Sequence, residues 1–349
     1  MNIKRGYKRL NIDMTPDYGN MQYEFNVPYH LEGDLEICRN GYHLCKNMLD
    51  TIKFYDSEDS RLFEVEYNAD NCIEEDNKLC SDYIKIIWEI PAEEYHNYIK
   101  EYIKNNDIAN EAWEIRYEIA KQGYGLDILV DDKNSDIRTE VAKHGYGLDV
   151  LINDEDWDVR CEVTRQGYGL DVLINDKHWR IRREVVRQNY RLDILINDED
   201  YDVRKEVAKQ GYGLNILIND NHYEVRREVA RHGYGLDILV NDEDWYVRKE
   251  VAKQGFGLDV LINDNHYEVR REIARQGYGL DILINDEDWL VRYEIARHGY
   301  GLDKLVNDKD WHVREEVAKQ GYGLDVLIND ENSIVRHLAQ QKLNNKKDE

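Results

Sequence analysis

No apolar run in this 349-residue chain approaches the roughly 20 residues that a membrane-crossing helix needs. That excludes a transmembrane helix. The first ten residues, Met-Asn-Ile-Lys-Arg-Gly-Tyr-Lys-Arg-Leu, carry charge but lead into no apolar stretch, so no secretory signal is visible. Cysteine is sparse: Cys38, Cys45, Cys72, Cys80 and Cys161 make an odd set of five without a Cys-x-x-Cys pair. A disulfide framework is thereby excluded, and a reduced, cytoplasmic protein is expected. Positive charge is also short, with 47 Lys and Arg against 72 Asp and Glu, a net charge of -25. Residues 1–104 hold -9 of it and the remainder -16. A broad basic face for DNA, RNA or an anionic membrane is excluded, whereas a basic partner is admitted. Walker loop, nucleophile elbow and zinc-protease helix are all missing, so no cofactor, metal or catalytic set is expected.

What the chain has instead is a 22-residue unit, clearest from Gly147 to Tyr168, and Arg116, Arg138, Arg160, Arg182 and their successors to Arg336 keep that spacing without a slip. A sustained period in the low twenties is the signature of a stacked solenoid. Punctuation places two helices in each unit. Asp154 precedes a run from Glu155 to Gln166 with acids first and a cation last, and Gly167 follows, which reads as N-cap, dipole pairing and C′ glycine. A short helix covers Leu148 to Ile152. One unit cannot bury its own apolar side, so Leu148, Leu151 and Ile152 must meet Val159, Val163 and the adjoining units. The expected fold is mostly α: a right-handed α-α superhelix of about 10–11 short two-helix repeats over residues 105–349, on the order of 100 Å long by helix spacing, ending in a polar tail that caps the stack and frays.

The Asp154 to Arg160 spacing, with Val159 before the arginine, resembles the Asp, Val-Arg pattern of HEAT repeats, and the short first helix is similar to leucine-rich-repeat variants of the α-helical kind. The resemblance implies a ladder in which Asp154, Asp176 and Asp198 cap helices and contact Arg160, Arg182 and Arg204 in the same or the next layer. An aromatic row (Trp157, Trp179, Tyr201, Tyr223, Trp245 and on) is expected to wedge between layers. A tyrosine row from Tyr124 to Tyr322, with Phe256 substituting once, anchors the glycine turns. In one layer Asn189 and Arg191 replace turn glycines, which suggests a change of curvature. Acidic pairs alternate with His178, His222 and His266, whose wide separation excludes a shared metal and implies solvated surface. Along the helix starts, Glu155, Asp156, Asp158, Glu199, Asp200, Asp202, Glu243 and Asp244, with Trp157 and Trp245, form a candidate partner-binding ridge.

Residues 1–104 lack the period. Met21–Val27, Leu62–Tyr67 and Tyr83–Ile90 read as strands, Asn47–Tyr55 as a short helix and Ala92–Lys104 as a longer one, together a small α+β domain. Cys38, His43 and Cys45 lie within eight residues, but a zinc site needs four ligands, so Cys45 is read as core and His43 as a surface or hydrogen-bonded side chain. The block Gly41–Cys45, Asn47–Asp50, Tyr55 and Arg61–Tyr67 resembles an uncharacterised domain of phage and prophage proteins. Its strand, short helix, strand order also resembles part of an ADP-ribosyltransferase core, which would imply nucleotide handling by His43 and Glu64 or Glu66. Repeated identical layers favour a non-enzymatic scaffold for a basic or nucleic-acid-binding protein partner, concretely an inhibitor of a bacterial defence component. The alternative is an enzyme in residues 1–104 that the solenoid targets.

Overall fold

A computed structural model describes residues 1–16, 21–37, 39–54 and 60–348, with side chains to residue 345. It divides into two compact units, Met1–Leu173 and Ile174–Glu349. The fold class expected from the sequence holds. A small antiparallel sheet domain is followed by a long series of regularly repeated helices.

The first unit starts with strands β1 (Ile3–Asn11), β2 (Pro28–His30), β3 (Tyr42–Cys45), β4 (Ser60–Asn68), β5 (Cys72–Glu75), β6 (Lys78–Ser81) and β7 (Tyr83–Glu89), ordered β2-β7-β4-β1-β3-β6-β5. Its core gathers Leu10, Leu44, Phe63, Val65, Leu79, Ile84 and Ile86. β1 lies near the middle of the sheet, although its sequence is a run of cations: Lys8 and Arg9 are both buried, and Lys8 Nζ donates to the His43 carbonyl at 2.7 Å. The expected strand at Met21–Val27 is corrected. Only an isolated bridge from Phe25 to Ile86 forms there, and the strand that pairs with β7 on the side away from β4 is Pro28–His30. The expected helix Asn47–Tyr55 is a 3-10 turn at Leu49–Lys53; Tyr55, like Cys38, lies outside the described residues. Pro91 closes the sheet, and helix α1 (Ala92–Asn105) buries Tyr95 and Ile99. The first repeats follow, with long helices at Trp113–Lys121, Ser135–Lys143 and Trp157–Arg165.

The second unit repeats one layer plan, which residues 235–257 illustrate. Gly235 has φ 60°, and a Cβ there would sit 2.1 Å from Ile218 Cδ1, so the left-handed turn and the close layer contact both call for glycine. Leu236–Leu239 makes a single helical turn, and Trp245–Lys253 is the long helix. Leu239, Val247, Val251 and Ala252 are buried. Where Asn189 and Arg191 replace glycines, φ stays left-handed at 56° and 47°. The turn therefore keeps its conformation, and the expected change of curvature is not imposed by that backbone. After Arg336 the chain does not fray at once: the last helix runs Ser333–Asp348 and buries Val335 and Ala339.

The register of the long helix is shifted by two residues from the sequence reading. Asp154 does not cap it; Asp156 does, accepting from the Asp158 N–H at 2.9 Å, and the helix begins at Trp157. Asp200 and Asp244 repeat the capping role. Asp154 instead accepts the Asp156 N–H at 2.9 Å and receives Arg138 of the preceding layer through both Nε and Nη2, at 2.7 and 2.8 Å. In the second unit the same two-point contact joins Arg182 to Asp198, Arg204 to Asp220, Arg226 to Asp242 and Arg248 to Asp264. Each arginine also donates Nη1 to the carbonyl of its own layer's aspartate, as Arg160 does to Asp154 at 2.6 Å and Arg182 to Asp176 at 2.8 Å. The ladder thus runs forward, one layer to the next. These hydrogen bonds outweigh burial and hold the arginine charge more tightly than usual, at Arg226 and Arg248 for example.

Candidate interaction surface

Half of the acidic ridge read from the sequence is engaged by its own helices. Asp156, Asp200 and Asp244 cap N-termini, and Asp202 pairs with Lys205 at 2.6 Å. Glu155 and Asp158 are exposed in the first unit. In the second, Glu199 and Glu243 are 86% and 85% exposed, each only grazing an arginine at 3.3 Å. The structure therefore uses one aspartate of each layer as a cap and leaves a glutamate open beside it, with Asp158 also exposed in the first unit.

Trp157 and Trp245 are half-buried, as a row wedged between layers should be. The histidines depart from the expectation of solvated surface. Tyr201 stacks on His222 at 3.6 Å, Trp245 stacks on His266 at 3.9 Å with planes only 7° apart, and Tyr246 bridges Tyr223 to Trp245. His222 and His266 also take the N-cap position, their Nδ1 accepting from the Glu224 and Glu268 N–H at 3.3 Å. They are structural members of a continuous ring stack from Tyr201 to Tyr267. Steps of 3.6 and 5.1 Å carry the row from Tyr201 to Tyr223, so neighbouring layers are at most about 9 Å apart at this edge.

A second row was not anticipated. On the short helices Ile194, Ile216, Ile238, Val260 and Ile282 are each 45–58% exposed, five consecutive layers with one branched aliphatic side chain in water. An exposed aspartate precedes four of them, Asp193, Asp237, Asp259 and Asp281, with Asn215 in the fifth layer. Three residues beyond each aliphatic stands an exposed asparagine, Asn197, Asn219, Asn241, Asn263 and Asn285, whose carboxamide makes no hydrogen bond among the described residues. Between two such layers a groove of about 370 Å³ is lined by Asn263, Ile282, Asn285 and Glu287. The sequence held a signal for this row. Leu, Leu and Ile already cover the buried side of the short helix, so an apolar residue at its third position has no core left to enter.

In the sheet domain the candidate catalytic residues do not converge. His43 lies on β3 and Glu64 and Glu66 on β4, with β1 between these strands. Glu64 pairs with Arg5 at 2.8 Å and Glu66 with Lys85 at 3.7 Å. A cavity of about 530 Å³ is lined instead by Arg9, Arg61, Glu89, Tyr95, His96 and Glu118 among others, and none of the three candidates reaches it. Cys45 is buried, and that burial, then Asp50, pushes its thiol up to about 12, so it sits as a neutral core group. Burial, then Lys78 and Lys8, lowers His43 to about 4. Because the folded value lies below the ordinary 6.5, the unfolded chain binds this proton first on acidification. Stability is full above about 6.5 and is lost as pH falls toward about 4, by about 1–2 kcal/mol after discounting for the ring's partial exposure. Urea midpoints measured at neutral and mildly acidic pH should show this loss, and His43→Gln should flatten it.

Among the described residues no helix is long and apolar enough to cross a membrane. No curated protein matches the chain. Among the solved structures that match the chain are two of low identity. One is the crystal structure of an engineered protein, 18% identical, covering 66% of this chain and 96% of its own, with a TM-score of 0.15. The other is a crystal structure of computationally designed armadillo repeat proteins for modular peptide recognition, 14% identical, covering 73% of this chain and 94% of its own, with a TM-score of 0.10. The fold rests on the helices described above. Residues 4–98, the sheet domain and the first half of α1, match the family model described as Domain of unknown function (DUF7666).

Proposed function

We propose that the repeat array is a scaffold that binds a basic protein partner, and that residues 1–104 add a second contact without catalysis of their own. The observation that carries this reading is the row on the short helices: five consecutive layers in the second unit offer an aliphatic side chain to water, four of them beside a carboxylate. Isolated exposed aliphatics are ordinary, whereas a contiguous row rimmed by charge marks an interaction surface. A net charge of -25 selects positively charged partners and speeds their encounter. In its most concrete form the protein comes from a phage or mobile element and, in the bacterial cytoplasm, blocks a nucleic-acid-binding component of a defence system. The resemblance of the Gly41–Cys45 block to phage domains supports that version.

The test is capture from bacterial lysate by the full-length protein at low and high salt, with the retained proteins identified. Recovery of a basic nucleic-acid-binding protein that salt releases, and that His43→Ala retains, is the expected result. Capture of nothing at either salt, or turnover of a nucleotide by the purified chain that His43→Ala abolishes, would overturn the scaffold reading.

A further inference from the structure

The row on the short helices repeats once per layer, and the spacing of packed helix layers together with its chemistry restricts what can lie along it. Layers are at most about 9 Å apart at the ring-stacked edge, within the usual range of helix packing. A bound chain that uses every layer alike must present the same side-chain direction at that interval. An α-helix advances about 9 Å in six residues, which turns the side chain well away from the surface. A β-strand covers the distance in about three residues, and three residues reverse its face. A polyproline II segment has three residues per turn and about 3.1 Å of rise per residue, so every third side chain returns to the same face after about 9 Å.

The polar groups suit that backbone. Polyproline II makes no internal hydrogen bonds and leaves its peptide groups open. Asn241, Asn263 and Asn285 are exposed carboxamides without hydrogen bonds among the described residues, and each offers a donor and an acceptor that match one peptide unit. The exposed Asp237, Asp259 and Asp281 call for a cation in each turn, and Ile238, Val260 and Ile282 beside them call for an aliphatic residue. Lys304 replaces the aliphatic in a following layer, which marks an end of this register.

We infer that Ile194 to Ile282, with Asp237, Asp259, Asp281 and the flanking asparagines, form a docking strip for an extended polyproline II segment carrying an aliphatic residue in each three-residue turn and Lys or Arg in the turns that meet those aspartates. The inference rests on the binding reading above and names the face and the partner's conformation.

Fluorescence anisotropy of the full-length protein with a labelled peptide of about five Lys-Val-Pro units, one per layer, tests it. Saturable, salt-sensitive binding is expected, with roughly tenfold weaker binding of a peptide of the same composition whose period of three is scrambled, and none of Glu-Val-Pro repeats. The combined variants Asp237→Asn, Asp259→Asn and Asp281→Asn should weaken binding roughly tenfold and reduce its salt dependence. Asn241→Ala with Asn263→Ala should weaken it at unchanged salt dependence. These positions are exposed, so thermal unfolding should not change. Equal binding of the ordered and scrambled peptides would overturn the inference, leaving charge attraction alone. That comparison needs no variant. Undiminished peptide binding by the aspartate variants would overturn it too. If either occurs while the wild-type protein still captures a basic partner, the scaffold reading stands and only the face is wrong; loss of that capture as well would remove both.

Discussion

Asp264→Ala is expected to destabilise the second unit by about 3 kcal/mol, because it removes one partner of a buried ion pair and leaves the other in place. The Asp264 side chain is 4% exposed; it receives Arg248 Nε at 2.5 Å and Nη2 at 2.9 Å, and accepts the His266 N–H at 2.8 Å. The low end of the range applies because Arg248 keeps the Asp242 carbonyl at 2.7 Å and Asn265 Oδ1 at 2.9 Å. A stacked array divides its stability among neighbours, so the loss should be local. Hydrogen exchange should rise in the helices Trp245–Lys253 and Tyr267–Arg275 and much less in Trp311–Lys319. Asp264→Asn, which keeps an acceptor for His266, should cost less. Arg248→Ala combined with Asp264→Ala should cost less than the two single changes added together, since the second removes a charge already stranded. Uniform loss of protection across all layers, or none at all, would mean that the ladder does not carry the contact between layers.

The period, the helix pair and the arginine ladder were legible because each is copied many times, and one physical explanation had to cover all copies. Direction within the ladder was not. Asp154 and Asp156 stand two residues apart, each accepts an N–H two residues on, and nothing in the sequence says which of those turns opens the helix. The stacking of the histidines is not legible from the spacing along their own row, because Tyr201 and His222 meet across layers from different positions of the unit. β1 was invisible for an energetic reason: burying Lys8 and Arg9 in a strand is costly unless their heads find partners. Those partners, the His43 carbonyl, Thr51 and the Tyr95 ring, come from elsewhere in the chain. The docking strip was present as letters, but its exposure emerged only once the other apolar positions were seen to fill the core.

Arg9 leads to the other large effect, at the place where the sheet domain meets the first repeat. The residue is 4% exposed, donates Nε to Thr51 Oγ1 at 3.1 Å, lies 5.4 Å over the Tyr95 ring and forms no ion pair among the described residues. The carboxylate nearest in this chain of contacts is Glu118, itself buried, which accepts the Tyr95 hydroxyl at 3.1 Å and Gln122 Nε2 at 3.2 Å. Burial and Glu118 push the Tyr95 phenol upward, so it remains a neutral donor. Glu118→Ala therefore strands a buried hydroxyl and removes the acceptor of Gln122 Nε2, a loss of about 2–3 kcal/mol. Tyr95→Phe removes one donor and leaves Glu118 with Gln122, which should cost about 1–2 kcal/mol, and Glu118→Gln should recover much of the loss by restoring an acceptor. Because the contacts cross from β1 and α1 to the helix Trp113–Lys121, Glu118→Ala should raise hydrogen exchange on both sides of the junction together. If only that helix loosens while β1 and α1 keep their protection, the sheet domain holds Arg9 by its own contacts and the network does not couple it to the repeats.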